Sequence, residues 1–348
     1  MYIRRILFII ALLIAVAMGV FSYFIYSALL VPNTNFEEEY IHIYIKSDDN
    51  YYDVFQQLKP QLKNPDKFDI VAQQKKYSSN IKPGRYTLEK DMTNNDIIAV
   101  LRSQNHPFSI VFNNQDRLPT LAKRIAQQIE ADSISLMKAM QDTTFLAEHD
   151  FSAENSLNMY IPNQYEFYWN TSAQKFRERM WKEYKKFWNE ERLTKAEKIG
   201  LTPHEVQNLA SIVQKETSQV DERPRVAGVY MNRINKGWKL EADPTVIYAL
   251  KNRGLEYDTT TIKRVLYKDL EIDSPYNTYL NEGIPPGPIA MADISSIDAV
   301  LNYENHDFFF FVADPKNPGY HKFAKSYAQH NRYKNEYVNW LKKMKINR

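Results

Sequence analysis

The most informative residue for chemistry is Glu216, a carboxylate on the apolar side of a predicted helix. The spacing of apolar residues predicts a helix over 203–219, with Leu209 and Val213 on the face that turns inward. At 100° per residue, Glu216 lies about 20° from Leu209 on that face. An unpaired buried charge costs several kcal/mol, so this carboxyl group must be paired, or protonated near neutral pH.

Two interpretations of Glu216 follow from this position. Burial raises the pKa of a carboxyl group, and a raised pKa allows a glutamic acid to donate a proton to a leaving oxygen at pH 7. Alternatively, the carboxylate forms a structural ion pair with an arginine of the next segment, and the candidates are Arg223, Arg225 and Arg233. The periodicity leaves both interpretations open.

The downstream segments supply side chains that are suited to a sugar site. Asp243-Pro244-Thr245 starts a predicted helix, residues 274–279 (SPYNTY) carry hydroxyl and amide groups among aromatic rings, and residues 283–289 (GIPPGPI) form a rigid loop. Aromatic faces stack on pyranose rings, and Asn, Thr and Tyr side chains hydrogen-bond to sugar hydroxyls. Asp243 is equally suited to cap its helix, and Tyr276 or Tyr279 to pack in the core.

Composition excludes several other kinds of site. Cysteine is absent, which removes thiol nucleophiles, cysteine zinc sites and disulfides. The 45 Lys and Arg against 42 Asp and Glu leave a net charge of +3, so no basic field indicates nucleic acid. The chain has no glycine-rich phosphate loop and no HExxH motif, and its histidines are scattered. The sequence therefore predicts neither a cofactor nor a metal.

The N-terminal residues predict a membrane span. From Ile6 to Leu30 no residue is charged, and a helix of that length reaches about 37 Å, enough to cross a bilayer core of about 30 Å. Arg4 and Arg5 precede it, which predicts a cytoplasmic N-terminus and an exported remainder. A cleaved signal peptide is the alternative because residues 15–17 (AVA) fit a cleavage site, but the apolar run continues well beyond them.

The exported part is predicted to begin with a short polar linker at 33–39 and to continue as a small α/β module. The predicted elements of this module are a strand over 41–45, helices over 51–62 and 66–76, a Pro-Gly turn and a strand within 81–88, and a helix capped by Thr93. Beyond it we expect a strand over 108–112, a helix over 118–129, a long helix over 173–199 with an aromatic core stripe, and a fully buried strand within 308–313. Together they indicate a mixed α+β protein.

Three ordered segments carry a family resemblance. The segments are residues 209–250, which contain QKETSQ, residues 274–290 (SPYNTYLNEGIPPGPIA) and residues 309–331. Together they resemble the YceG/MltG-like endolytic murein transglycosylases. IKPGRYTL (81–88) and IPNQYEFYWNT (161–171) correspond to two further family segments. In the second of these, Asn163-Gln164 stands where the family usually has Glu-Gly.

The resemblance, with the elements above, implies an α+β fold with one N-terminal transmembrane helix. The implied domains are a cytoplasmic N-terminus (1–5), a transmembrane helix (6–30), a LysM-like α/β module (37–106), a second α/β connecting unit (107–158) and a mixed, helix-rich catalytic domain (159–348). We expect a single-pass protein of the bacterial cytoplasmic membrane, with its catalytic domain on the outer face.

The resemblance also implies an activity and a catalytic residue. The family's catalytic glutamate falls on Glu216, and the substrate would be the β-1,4 bond between N-acetylmuramic acid and N-acetylglucosamine in peptidoglycan. Glu216 would act as general acid and then as base to the muramoyl C6 hydroxyl, giving a 1,6-anhydro product and ending strand elongation. The supporting or sugar-binding candidates are Thr217, Asp243, Thr245, Tyr276, Asn277, Thr278, Tyr279, Pro286 and Gly287. The expected partners are glycan strands, the membrane and peptidoglycan synthases, and not nucleic acid.

Two other functions stay open. A lysozyme-type muramidase would use Glu216 with Asp243 as a second carboxylate and would add water to the sugar. A membrane-anchored scaffold would hold glycan near synthases without cutting it.

Overall fold

The chain forms a mixed α+β structure of two compact units, which confirms the predicted fold class. The computed structural model describes residues 2–103, 105–252, 262 and 265–344. The first unit consists of Met1–Ile110, Gln128–Glu130 and Glu166–Thr171, and the second of Val111–Gln127, Ala131–Tyr165 and Ser172–Arg348. The predicted domain boundaries and the LysM likeness stay predictions. Of the predicted ranges 1–5 and 159–348, residue 1 and residues 345–348 at the ends lie outside the described residues.

The described part of the chain is mostly helical, with short strands between groups of helices. The helices are α1 (Tyr2–Leu29), α2 (Tyr51–Leu58), α3 (Pro65–Gln74), α4 (Asn94–Arg102), α5 (Leu118–Ala126), α6 (Ser133–Met140), α7 (Thr143–Glu148), α8 (Ala173–Phe187), α9 (Glu190–Lys198), α10 (Pro203–Glu216), α11 (Arg223–Asn235), α12 (Asp243–Lys251), α13 (Ile294–Leu301) and α14 (Tyr327–Lys343). The strands are β1 (Tyr40–Ile45), β2 (Gly84–Glu89), β3 (Phe108–Phe112), β4 (Asn163–Phe167), β5 (Phe310–Ala313) and β6 (His321–Ala324). They pair as β1 with β2, β3 with β4 and β5 with β6.

Helix α1 is long and apolar enough to cross a membrane, and a signal sequence would meet the same criteria. Its side chains are exposed from Tyr2 to Tyr26, whereas Ser27 and Ala28 are buried within the first unit. The last helical hydrogen bond runs from the Leu30 amide to the Tyr26 carbonyl, and Pro32 follows. A proline has no amide hydrogen to donate, so the helix cannot continue through it.

The first unit packs helices against the antiparallel pair β1 and β2. Alternate residues of the two strands, such as Ile43 and Leu88, point into one apolar core. Thr93 caps α4 as predicted, because its hydroxyl accepts the Asp96 amide and the Asp96 carboxylate accepts in return. The predicted helix over 51–62 ends earlier, at Leu58, and continues as one turn of 3₁₀ helix.

The predicted linker at 33–39 is built into the first unit at its start. Asn33 and Thr34 are buried, and Thr34 forms an isolated bridge with Leu62. The Asn33 side chain hydrogen-bonds to the Asn94 side chain and to the Asn64 backbone, and these bonds hold the chain against α3 and α4. The composition of this segment is that of a linker, but its asparagine finds buried partners.

In the second unit, the long helix predicted over 173–199 is two helices, α8 and α9. Trp188 leaves the helical conformation with ψ at 62°, and the Asn189 side chain caps α9 by accepting the Arg192 amide. The predicted aromatic core stripe is confirmed at Phe176 and Tyr184, which are buried.

The prediction of a fully buried strand within 308–313 was wrong. Strand β5 pairs with β6 in a two-stranded hairpin, and every residue of β5 is only half-buried. Helix α14 packs against the hairpin. Among the described residues no third strand pairs with this hairpin, so its aromatic side chains stay partly accessible. The run of phenylalanines did not indicate this.

Helix α10 forms the centre of the second unit. Residues Val206–Val213 are buried without interruption, and α11, α12 and α13 all pack against this helix. The end of α10 therefore has a fixed position, and it carries the candidate catalytic carboxylate.

Candidate active site

Glu216 is the last residue of α10, and its side chain is half-buried. The helix begins with a capping box between Thr202 and Glu205 and ends three residues before the predicted 219, because Thr217 is extended at φ −137° and ψ 135°. Val220, which continues the apolar spacing of Leu209 and Val213 in the sequence, is 55% exposed. The carboxyl group thus lies at a helix C-terminus, where the helix dipole disfavours a negative charge.

A buried tyrosine holds the Glu216 carboxyl group. The Tyr230 hydroxyl, on α11, donates a hydrogen bond of 2.6 Å to Glu216 Oε1, and Tyr230 is only 2% exposed. Burial raises the pKa of Glu216 to about 7, and the negative charge of Asp243 adds to the rise. The Tyr230 hydrogen bond and the side chains of His321 and Arg233 oppose it. The geometry therefore provides a carboxyl group that gains and loses a proton near neutral pH.

The alternative of a structural ion pair at Glu216 is not what the structure shows. Each of the three candidate arginines pairs with another carboxylate. The pairs are Arg223 with Asp293 at 2.9 Å, Arg225 with Glu304 at 2.9 Å and Arg233 with Glu241 at 3.5 Å. Arg233 also donates to the Leu240 carbonyl at 2.6 Å, so it affects Glu216 through its charge and not by a direct bond.

Asp243 and Tyr279 form a second tyrosine–carboxylate pair. Asp243 is the first residue of α12, as predicted, but Ala242 is the N-cap and has no side-chain cap bond. The Asp243 carboxylate instead accepts a hydrogen bond of 2.7 Å from the Tyr279 hydroxyl. The pKa of Tyr279 is raised by burial, by this hydrogen bond and by the charges of nearby carboxylates, including Glu216. The two pairs are thus electrostatically coupled.

Three of the sequence candidates are buried supports of this arrangement. The hydroxyl groups of Thr245 and Thr278 lie 2.9 Å apart, and Thr278 Oγ1 also accepts the Ala242 amide at 3.0 Å. Asn277 Oδ1 accepts the Tyr279 amide at 3.0 Å. All three side chains are at most 2% exposed, so they fix the start of α12 and the position of Tyr279 and have no surface for a sugar.

The Pro/Gly loop lies close to Tyr276 and is tied to α10. The Pro285 carbonyl accepts from the Asn208 side chain of α10 at 3.0 Å. Gly287 is buried, and an added Cβ would clash with the Glu154 carbonyl and the Tyr276 hydroxyl. The half-buried Tyr276 ring packs against Tyr248, with centroids 4.7 Å apart, whereas Pro286 is exposed. These two residues keep accessible surface for a ligand.

Thr217 follows Glu216 directly, and its side chain is 3% exposed. Its amide donates to the Val213 carbonyl at 3.3 Å, and its hydroxyl accepts the Gln219 amide at 3.1 Å. These bonds fix the turn at which α10 ends, so Thr217 has a supporting position.

Sequence reasoning missed Tyr230, Glu222 and His321. Glu222 is 5% exposed and accepts hydrogen bonds from the His321 amide at 2.7 Å and from His321 Nδ1 at 2.8 Å. Burial alone would raise the pKa of Glu222, but the bonds to His321 outweigh it and the pKa is lowered. Tyr230 could have been predicted as a buried hydrogen-bond donor, because it stands four residues after the apolar Val226 on the inward face of its helix and a buried phenol needs an acceptor. His321 had none, because its partner is 99 residues away.

The proteins that are similar to this chain point to one family. The pattern of the YceG-like family matches residues 43–336. A Bacillus subtilis (strain 168) protein named endolytic murein transglycosylase is 31% identical over 297 residues, which is 78% of this chain and 79% of that protein. A Streptococcus pneumoniae (strain D39 / NCTC 7466) protein of the same name is 26% identical over 95% of this chain, and the match spans 64% of that longer protein.

A solved structure agrees with these matches. The crystal structure of a YceG-like protein from Listeria monocytogenes is similar to this chain, with a TM-score of 0.57 and 28% sequence identity. The similarity covers 85% of this chain and 99% of the Listeria chain.

Proposed function

The chain belongs to the YceG-like family, and we propose from this membership and from the site that it is an endolytic murein transglycosylase. Its substrate is the glycan strand of peptidoglycan, and the bond cut is the β-1,4 bond between N-acetylmuramic acid and N-acetylglucosamine. One observation carries the proposal: the half-buried Glu216 has a pKa of about 7 and is oriented by Tyr230. Such a group can act as an acid and then as a base at the same pH.

In the first step, protonated Glu216 donates its proton to the glycosidic oxygen. The bond from that oxygen to the muramic C1 breaks, and positive charge develops on the sugar ring as an oxocarbenium-like transition state. Tyr230 donates to Oε1, so we assign the proton transfer to Oε2. The leaving N-acetylglucosamine end keeps the transferred proton as its hydroxyl group.

In the second step, the Glu216 carboxylate takes the proton of the muramic C6 hydroxyl. The C6 oxygen attacks C1 of the same sugar and closes the 1,6-anhydro ring, so Glu216 is again protonated and no water is consumed. Because the nucleophile belongs to the substrate, attack is intramolecular and benefits from a large effective molarity. A second carboxylate nucleophile is not required.

Asp243 has a supporting role in this proposal. Its negative charge raises the pKa of Glu216, which keeps the acid protonated before the first step. The same charge favours the positive transition state. Tyr279 holds the carboxylate in place, and Thr245, Asn277 and Thr278 hold Tyr279 and the start of α12.

A second candidate activity is hydrolysis of the lysozyme type. The observation that favours it is that Asp243 does not cap α12 and keeps its carboxylate in the site. In this alternative Asp243 would serve as the second carboxylate, and water would add to the muramic C1. The product would then end in a reducing sugar, whereas the transglycosylase product ends in an anhydro ring.

The experiment that tests catalysis compares Glu216→Gln with a matched variant, Glu197→Gln. Glu197 is an exposed residue of α9, so its substitution makes the same chemical change away from the site. Purified glycan strands are incubated with each full-length protein, and both strand cleavage and strand binding are measured. We expect Glu216→Gln to bind but not cleave, and Glu197→Gln to do both. Cleavage that survives in Glu216→Gln would contradict the proposal, and wild-type binding without any cleavage would favour a scaffold.

We further propose that α1 is an uncleaved anchor in the cytoplasmic membrane, with Arg4 and Arg5 on the inner side and the remaining chain outside. This arrangement places the site next to newly made strands, where cleavage would end their elongation beside the synthases. The length and apolar surface of α1 support the proposal. The test is N-terminal sequencing of the protein isolated from the membrane fraction. We expect it to retain its first residues.

A further inference from the structure

The end of α1 is held by side chains of the first unit. Lys67 Nζ donates a hydrogen bond of 2.9 Å to Ser27 Oγ, and Asn94 Nδ2 donates one of 2.8 Å to the Ala28 carbonyl. Ser27 and Ala28 are 9% and 3% exposed, and Ala28 belongs to the core of the unit. Helix α1 therefore enters the unit as a fixed part of it.

The length of α1 places this contact at a membrane boundary. The exposed apolar stretch from Ile6 to Tyr26 is about 31 Å long at 1.5 Å per residue, which equals the bilayer core of about 30 Å. Arg5 precedes this stretch and Ser27 follows it. Tyr23 and Tyr26, 71% and 55% exposed, lie at its outer end, as tyrosines do at membrane interfaces.

A basic segment passes this boundary. Residues 59–67 (KPQLKNPDK), here called the basic turn, contain three lysines and one aspartate. The turn is bonded to the chain that leaves α1, since the Asn33 carbonyl accepts the Lys63 amide at 2.8 Å and the Gln61 carbonyl accepts the Asn35 amide at 2.7 Å. Ile70, three residues beyond Lys67 on the same side of α3, is 43% exposed.

We propose that the basic turn and the first half of α3 lie in the headgroup layer of the membrane and that Lys63 and Lys67 bind phosphates of anionic phospholipids. The inference rests on the proposed anchoring by α1. Lysine stems lie along apolar surface while the ammonium groups reach the headgroups, and a net positive segment is attracted to an anionic leaflet. Ile70 then enters the interface beside them. The first unit would in this way be held on the membrane surface at a fixed orientation.

The test uses the absence of cysteine, which makes a single introduced label unique. Full-length Ile70→Cys and Asp48→Cys are labelled with an environment-sensitive fluorophore and placed in nanodiscs of phosphatidylglycerol and phosphatidylcholine that carry a headgroup nitroxide. Asp48 is the matched control, because it is an exposed residue of the turn between β1 and α2, and this turn follows the end of β1 that lies farther along the chain from α1.

We expect the nitroxide to quench the label at position 70 strongly and the label at position 48 weakly. Lys63→Glu should reduce quenching at position 70 in anionic discs, and Lys63→Arg should retain it. Lys67 is left unchanged in this comparison because it also holds Ser27 of α1. Quenching that is the same in Lys63→Glu as in the wild type would overturn the binding of phosphates by Lys63. Equal quenching at the two positions would overturn the inference. If the protein does not co-purify with the discs, both the membrane anchor and the lipid-binding surface at the basic turn are overturned. If the protein binds the discs with the expected quenching but does not cleave glycan, only the enzymatic proposal is overturned.

Discussion

The Tyr230→Phe substitution tests how the site sets the proton affinity of Glu216. It removes the hydroxyl that donates to Glu216 Oε1 at 2.6 Å and leaves the ring, which packs edge-on against Phe311. The hydrogen bond stabilises the ionised carboxylate more than the neutral acid, so its loss raises the pKa of Glu216.

The magnitude follows from the strength of a hydrogen bond to a charged group. Such a bond contributes about 1.5–3 kcal/mol, and one pKa unit corresponds to about 1.4 kcal/mol. The pKa of Glu216 should therefore rise from about 7 to about 8 or 9. Since the first step needs protonated Glu216, the alkaline limb of the pH dependence of kcat/KM moves up by about 1–2 pH units.

The assay is glycan cleavage as a function of pH, with Tyr160→Phe as the control. Tyr160 is also buried in the second unit, and its hydroxyl has no hydrogen-bond partner among the residues that the structure describes, so the same substitution there leaves Glu216 untouched. The plateau rate of Tyr230→Phe should fall about tenfold, because the carboxyl group loses its fixed orientation. An alkaline limb that stays at its wild-type position in Tyr230→Phe would refute this reasoning.

Three further predictions concern Glu216 itself, Asp243 and Gly287. Because the folded pKa of Glu216 is above its unfolded value, the wild type should match Glu216→Gln in stability below about pH 4.5 and become less stable than this variant by up to about 3 kcal/mol as the pH rises to about 7. Denaturant unfolding at a series of pH values measures this difference, and a difference that does not change with pH would contradict the raised pKa. Asp243→Asn removes a like charge, so the alkaline limb of the rate profile should move down, and an unchanged limb would mean that the two carboxylates are not coupled. Gly287→Ala should lower the free energy of unfolding by about 1–3 kcal/mol because its Cβ meets the Glu154 carbonyl, and unchanged denaturant midpoints would disprove the close approach.

Local features of the chain were predictable from sequence, because they depend on neighbouring residues. The Thr93 cap and the start of α12 at Asp243 follow from residues within one or two turns, and the membrane-length helix follows from one uninterrupted apolar run. The position of Glu216 on an apolar face was equally local. The end of α10 was misjudged because Val220 continues the apolar period, although the chain has already turned at Thr217.

The parts of the site that were missed depend on contacts between distant segments. Tyr230 reaches Glu216 from the next helix, and His321 reaches Glu222 across 99 residues. No periodicity within one element contains such a pairing. The half-buried β5 was misjudged for a similar reason, since the number of strands beside it, and not its own phenylalanines, determines how deeply it lies.

The most direct test of the central claim is the origin of the oxygen at the new muramic end. Glycan strands are cleaved by the full-length protein in water enriched in the heavy isotope of oxygen, and the product ends are analysed by mass spectrometry. A transglycosylase that acts through Glu216 gives anhydro ends that carry no heavy oxygen. The Glu216→Gln variant should give no anhydro ends. Reducing ends that contain one heavy oxygen would contradict the claim. They would indicate hydrolysis, with Asp243 as the second carboxylate.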